Sequence, residues 1–177
     1  MAASEKPSRG IERRAWWSAL AVVLAAILLV AVIAIRLAPA GTRMAEHATG
    51  GTSPIGPTCT HYPGAEVSIV APGAGTVVVS ATVGVGLRHE FGTLDEARIV
   101  VAATSTDCSL TNHTAFVSVP SSLFSDAFHF ETVPILRSFA VPGAGTYTFY
   151  VNAVMAQGWD TGDRFDSASL VAVYHAP

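Results

Sequence analysis

The sequence is poor in charge, poorer in lysine and nearly without cysteine, and each scarcity excludes something. Only 13% of its 177 residues are charged, against about 25% in an ordinary soluble domain. Lys6 is the single lysine, and ten basic residues face thirteen acidic ones, so the chain has no basic excess for a nucleic-acid backbone. Two cysteines, Cys59 and Cys108, are too few for a densely stapled scaffold or a four-cysteine zinc site. No G-x-S-x-G nucleophile elbow occurs. The glycine-rich turns at 73–75 and 143–145 lack the G-K-[ST] ending and the following helix of a phosphate loop. These gaps argue against an enzyme and imply no cofactor.

One long hydrophobic run stands out. Ala15–Ile35 is twenty-one residues without a charge. As a helix it would span about 31 Å, close to the ~30 Å hydrocarbon core of a bilayer, and lipid tolerates little else than a helix. Lys6, Arg9, Arg13 and Arg14 precede it, while Arg36 and Arg43 follow. The basic excess places the N-terminus in the cytoplasm and the remainder outside. Trp16 and Trp17 fit an interfacial belt, and Arg36 is placed to snorkel. The expected organisation is a cytoplasmic tail (1–14), a transmembrane signal anchor (15–37), a flexible Gly/Pro/Thr-rich stalk (38–64) and a β domain (65–177). The alternative is a signal peptide cleaved after Ala38-Pro39-Ala40, which would release the domain.

Beyond the run the charge changes sign. Residues 41–177 carry five basic and eleven acidic side chains, a net of −6. That balance repels nucleic acid and anionic headgroups. Both cysteines lie on the outer side, where an isolated pair most often forms a disulfide. Bridging Cys59 to Cys108 would stabilise the fold by roughly 2–4 kcal/mol.

From Glu66 onward the hydrophobic period becomes two, the signature of half-buried strands. Val77, Val79, Ala81, Val83, Val85 and Leu87 fall on one side of a strand, with Thr76, Val78, Ser80, Thr82, Gly84 and Gly86 on the other. Glycines in that second row invite close approach of a neighbour or a bend. Further strands are expected over 97–104, 114–119, 131–141, 146–155 and 167–175, with Pro134 marking an edge or a break. Residues 121–128 resemble a helical turn capped by Ser121 or Ser122. Short strands without a long amphipathic helix predict an all-β antiparallel sandwich, jelly-roll-like in kind.

The stretches 69–83 and 139–154 share Pro-Gly-Ala-Gly-Thr followed by a strand. They read either as two similar sheet corners or as convergent turn chemistry. In the second copy Phe139, Gly145, Tyr147 and Phe149 match a Phe, five residues, then Gly-x-Tyr-x-Phe. That stretch resembles a fragment of the C1q/tumour-necrosis-factor-type jelly roll. Over residues 139–149 the resemblance implies a sandwich corner, and no function is carried across.

Candidate chemistry is sparse. Asp160, Asp163 and Asp166 could converge on calcium, although an acidic turn needs such residues merely for solvation and Asx-turns. Six histidines (47, 61, 89, 113, 129, 175) show no metal-ligand spacing for copper or zinc. Asp163 and Arg164 read as a surface pair. Trp159, Phe165, Tyr150 and Phe116 are aromatics that either mark an interface or fill the core. The Ala-, Val- and Arg-leaning composition looks like that of a high-GC bacterium. Together these features predict a membrane-anchored, extracytoplasmic binding module for another protein or a cell-envelope component. The alternatives are an extracytoplasmic calcium or copper protein, or an accessory subunit docking through its transmembrane helix, whose alanines permit close packing.

Overall fold

A computed structural model describes residues 43–123 and 127–177. The expected tail and anchor, and residues 38–42 of the expected stalk, lie outside the described residues. Among the described residues no helix is long and apolar enough to cross a membrane.

Eight strands run in chain order: β1 (Arg43–Pro54), β2 (Thr60–Ala71), β3 (Gly75–His89), β4 (Asp95–Ala102), β5 (Ala115–Val119), β6 (Ala127–Val141), β7 (Gly145–Gln157) and β8 (Arg164–His175). They form two four-stranded sheets, ordered β1-β8-β3-β6 and β2-β7-β4-β5. Every pairing is antiparallel. The chain changes sheet at each connection except β4 to β5, which is the connectivity of a jelly roll.

The alternation read in β3 is the alternation the fold uses. Val77, Val79, Ala81, Val83, Val85 and Leu87 are all buried. They meet Phe149, Val151, Ala153 and Met155 of β7, Ile99 and Val101 of β4, and Leu170 and Tyr174 of β8 in one core. Tyr62 stacks on Phe165 with centroids 4.6 Å apart. The Tyr62 hydroxyl donates to the Gly51 carbonyl at 2.6 Å, which gives this buried phenol a partner. Pro134 does lie on an edge strand: β6 continues through it, pairing on one side only.

The repeated Pro-Gly-Ala-Gly-Thr segments are paired corners. Each carries the chain from one sheet to the other, β2 to β3 and β6 to β7. Their registers interlock, with Ala71 opposite Gly145 and Gly75 opposite Val141. An offset of seventy residues maps each pair onto the other, so the two corners are related by a local two-fold. Gly75 is required there, because a Cβ would run into the His175 carbonyl and the Tyr174 ring. The Tyr174 hydroxyl donates to the Ala74 carbonyl at 2.9 Å and closes the corner.

Two expectations need correcting. The stretch 38–64 is not a stalk throughout, since β1 and the first residues of β2 occupy most of it. The sequence of β1, RMAEHATGGTSP, has no apolar alternation, and nearly all of it is exposed. It is a strand because its backbone pairs with β8 from Arg43↔Tyr174 to Pro54↔Arg164. Pairing of that kind leaves no hydrophobic signature. Of the helical turn expected over 121–128, residues 124–126 lie outside the described residues; Leu123 N–H donates to the Pro120 carbonyl in a turn, and Ala127 and Phe128 belong to β6 instead.

Cys59 and Cys108 form the expected disulfide, with Cα atoms 5.5 Å apart. It fastens the long β4–β5 connection to the segment before β2. Asn152 holds the same connection from β7, donating to the carbonyls of Thr104 and Asp107 at 2.8 Å each.

Candidate functional site

The acidic segment 160–166 divides into two parts. Asp163 is fully buried. One carboxylate oxygen accepts the Arg88 N–H at 2.9 Å, and the other accepts the Asp160 N–H at 2.7 Å. Asp160 accepts the Gly162 N–H at 2.6 Å and faces the Arg88 side chain at 3.9 Å. The pair therefore builds the β7–β8 turn and ties it to β3. Burial pushes the Asp163 carboxyl up to about 6, against its two backbone donors, and the neighbouring Asp160 and Asp95 add to the rise.

Asp166 belongs to a different site. It is the extra residue of a bulge in β8: Gly84 pairs with Ser167 while the next residue, Val85, pairs with Phe165. Bulges re-aim side chains. Here Phe165 keeps its place in the core, while Arg164 and Ser167 both stand on the outer face. Arg164, expected to pair with Asp163, instead donates from Nε to Asp166 at 3.1 Å. Asp160, Asp163 and Asp166 are thus not gathered around one point. Among the described residues no three His, Cys, Asp or Glu side chains are arranged to hold a metal ion.

The outer face of the β1-β8-β3-β6 sheet carries small residues across its middle. Ala48, Ser169, Thr82 and Pro134 form one row, and Gly50, Ser167, Gly84 and Thr132 the next. Beside them rises an aromatic ridge. Phe128 and Phe130 are two apart on β6 and so share a face. Their rings stack with centroids 5.8 Å apart, and Phe130 is 59% exposed. The Arg164 guanidinium lies 4.4 Å from the centre of the Phe128 ring and 5.5 Å from that of Phe130, within cation–π range.

Phe130 is paired with Gly86 and leans over it. A Cβ at Gly86 would stand 2.9 Å from the Phe130 ring and 3.1 Å from Asp166 Oδ2; one at Gly84 would stand 2.7 Å from Ser167 Oγ. The two glycines thus make the space over which an aromatic ring, a carboxylate and a hydroxyl converge. The result is a cleft of ≈ 300 Å³ bordered by Gly84, Phe130, Glu131, Thr132, Asp166 and Ser167.

A second ionisable cluster lies beside the 158–163 turn. His89 and Asp95 are both buried, with Nδ1 and a carboxylate oxygen 2.5 Å apart. The other ring nitrogen faces the Leu123 carbonyl at 3.1 Å. Both nitrogens are engaged within the fold, which is how a structural histidine is held rather than a general base awaiting substrate.

Of the aromatics singled out in the sequence, Trp159 and Phe116 are exposed and Phe165 is buried. Phe128 and Phe130 are visible there only as neighbours of His129. The signal that would have found them is their i, i+2 spacing on a strand opposite a row of glycines.

No family model matches the chain, and no curated protein matches it. Solved structures with partial likeness exist. A mutant VP2 protein of infectious bursal disease virus is 12% identical at a TM-score of 0.32, over 77% of this chain and 32% of that one. The structure of the Gx strain of that virus gives 11% and 0.34 over the same shares. The C-terminal CBM6 of LamC, a marine laminarinase from Zobellia galactanivorans, is 14% identical at 0.27, over 73% of this chain and 98% of that one. The chain spans about a third of the length of the viral proteins it matches. None of these bears on ligand or activity, and the two-sheet architecture stands on the strand pairing itself.

Proposed function

We propose that this protein is a non-enzymatic binding module, held at the cell membrane through residues 15–37 with its β-sandwich on the extracytoplasmic side. Its partner is a component of the cell envelope, protein or otherwise. The observation that carries the reading is the exposed ridge of Phe128 and Phe130, with Arg164 across it, at the edge of a glycine-floored cleft. Exposed rings beside converging polar groups are the usual form of a recognition site. The buried His89–Asp95 pair supports the non-enzymatic part, because its nitrogens are spent on Asp95 and Leu123. The run of uncharged residues and its basic N-terminal flank support the anchoring part.

The test uses the full chain in lipid nanodiscs against isolated envelope material. Binding by the wild type is expected to fall about tenfold in Phe130→Ala, the loss of roughly 1.4 kcal/mol that one exposed aromatic anchor supplies. Equal binding by both proteins, or none by either, would remove the reading.

A further inference from the structure

We infer that the cleft beside Phe130 takes a neutral, hydroxyl-rich ring of the kind a saccharide presents, laid on the Phe130 face and hydrogen-bonded along Asp166, Ser167 and Thr132. The inference rests on the binding-module reading and names its ligand class.

Size is the first argument. At ≈ 300 Å³ the cleft sits at the low end of the ~300–1,000 Å³ typical of small-ligand sites. It suits one ring of an extended chain rather than a large cofactor. Because Gly84 and Gly86 carry no side chain, the Ser167 hydroxyl, the Phe130 ring and the Asp166 carboxylate lie low over the sheet and leave the cleft beside them open.

Charge is the second. An aromatic ring beside a carboxylate would ordinarily suit a cation. Here the cation's place is already taken. Arg164 lies over Phe128 and Phe130 and pairs with Asp166. Glu131 and His129 alternate with Phe128, Phe130 and Thr132 along β6, so they belong to its other face, where they lie 3.4 Å apart. An incoming anion would in turn meet the Asp166 carboxylate. A neutral ligand avoids both conflicts.

Chemistry is the third. The C–H face of a sugar ring is apolar and its rim is a ring of hydroxyls. Phe130 supplies the apolar face. Asp166 accepts, while Thr132 and Ser167 both accept and donate. Thr132 and Ser167 stand on the strands either side of Gly84. Adjacent strands lie about 4.8 Å apart, so groups spread across this row can meet hydroxyls on opposite sides of a six-membered ring.

Full-length protein in nanodiscs, free of glycoside detergents that would compete, is titrated with soluble neutral glucans and mannans, with oligo-lysine and with heparin. Phe130-dependent binding of a neutral polysaccharide is expected, weakened about tenfold by Phe130→Ala. Thr132→Val, isosteric on an exposed strand, should weaken it without unfolding the domain. Periodate, which cleaves vicinal diols, should abolish binding of the same polysaccharide where its sugars are 1,4- or 1,6-linked. Oligo-lysine or heparin as the Phe130-dependent ligand would overturn the inference, as would a panel in which no neutral polysaccharide binds. Envelope material separates this failure from failure of the parent reading. Phe130-dependent binding that survives protease but not periodate supports a saccharide. Binding that survives periodate but not protease overturns the saccharide and leaves the binding module standing. No Phe130-dependent binding to untreated envelope overturns both.

Discussion

Asp163 and Asp166 are three residues apart and live under opposite conditions. Asp163 is buried, its two oxygens committed to backbone N–H groups of β3 and of its own turn. Asp166 sits on a bulge at the outer face, paired with Arg164 and partly open to solvent. The same residue type builds the fold at one position and is presented to the outside at the other. The difference follows from where the sheet register lets each side chain go.

The sharpest contrast uses glycine in both regions. Gly158, just before the turn, has φ +67°. A Cβ there would overlap Asp95 and the Leu94 carbonyl, both fixed in the buried cluster. Gly158→Ala should cost at least about 3 kcal/mol, from backbone strain and overpacking together. Gly86→Ala meets the Phe130 ring, which is on the surface and can swing outward, so about 1 kcal/mol is expected. Urea denaturation of the two variants measures the gap. Equal costs would mean that the 158–163 turn is no more rigid than the ridge.

Next comes the carboxylate itself. Asp163→Ala leaves two backbone donors without their acceptor in a buried place, and should cost about 2–4 kcal/mol. Chemical denaturation checks it; a loss below about 1 kcal/mol would show that water replaces the carboxylate at no cost.

The raised Asp163 carboxyl gives a dependence on pH with a definite sign. Its folded value of about 6 lies above the 3.8 of an ordinary aspartate, so between those values the folded state holds more proton than the unfolded. Stability from this group is therefore fully present below the unfolded value and is lost as pH rises from about 4 to about 6. The size is at most about 3 kcal/mol. Asp107 works the other way, since its hydrogen bonds with Ser109 hold its carboxyl low. The informative quantity is thus the melting temperature of wild type minus that of Asp163→Asn across this range. It should fall as pH rises, and a flat difference would remove Asp163 as its source.

What was legible in the sequence divides along similar lines. The strands that face the core on alternate residues were readable, because burial imposes a period of two on β3, β7 and β8. The Pro-Gly corners were readable as turns, although their mutual pairing was not, since seventy residues separate them. β1 was missed, because edge pairing through the backbone leaves its side chains unconstrained. The disulfide was legible from an isolated pair of cysteines on the side expected to be oxidising. Of the site, the sequence offered the acidic residues but grouped them by spacing. The bulge at Asp166 decides which of them reach the outer face, and a bulge of one residue has no pattern to announce it.

The smallest effect expected is the coupling between Arg164 and Asp166, and its smallness is what the comparison requires. Each side chain is more than a quarter exposed, at 29% and 28%. Exposed pairs of this kind are worth about 0–1 kcal/mol. A double-mutant cycle of Arg164→Ala and Asp166→Ala should return a coupling under about 1 kcal/mol in denaturation, with either single variant folding normally. Arg164 also covers Phe128 at 4.4 Å, so its removal bares that ring and should reduce stability slightly more than loss of Asp166 does. A coupling as large as the cost of Asp163→Ala would mean that Asp166, too, is spent on holding the fold. The outer carboxylate could not then be one the protein keeps for a ligand.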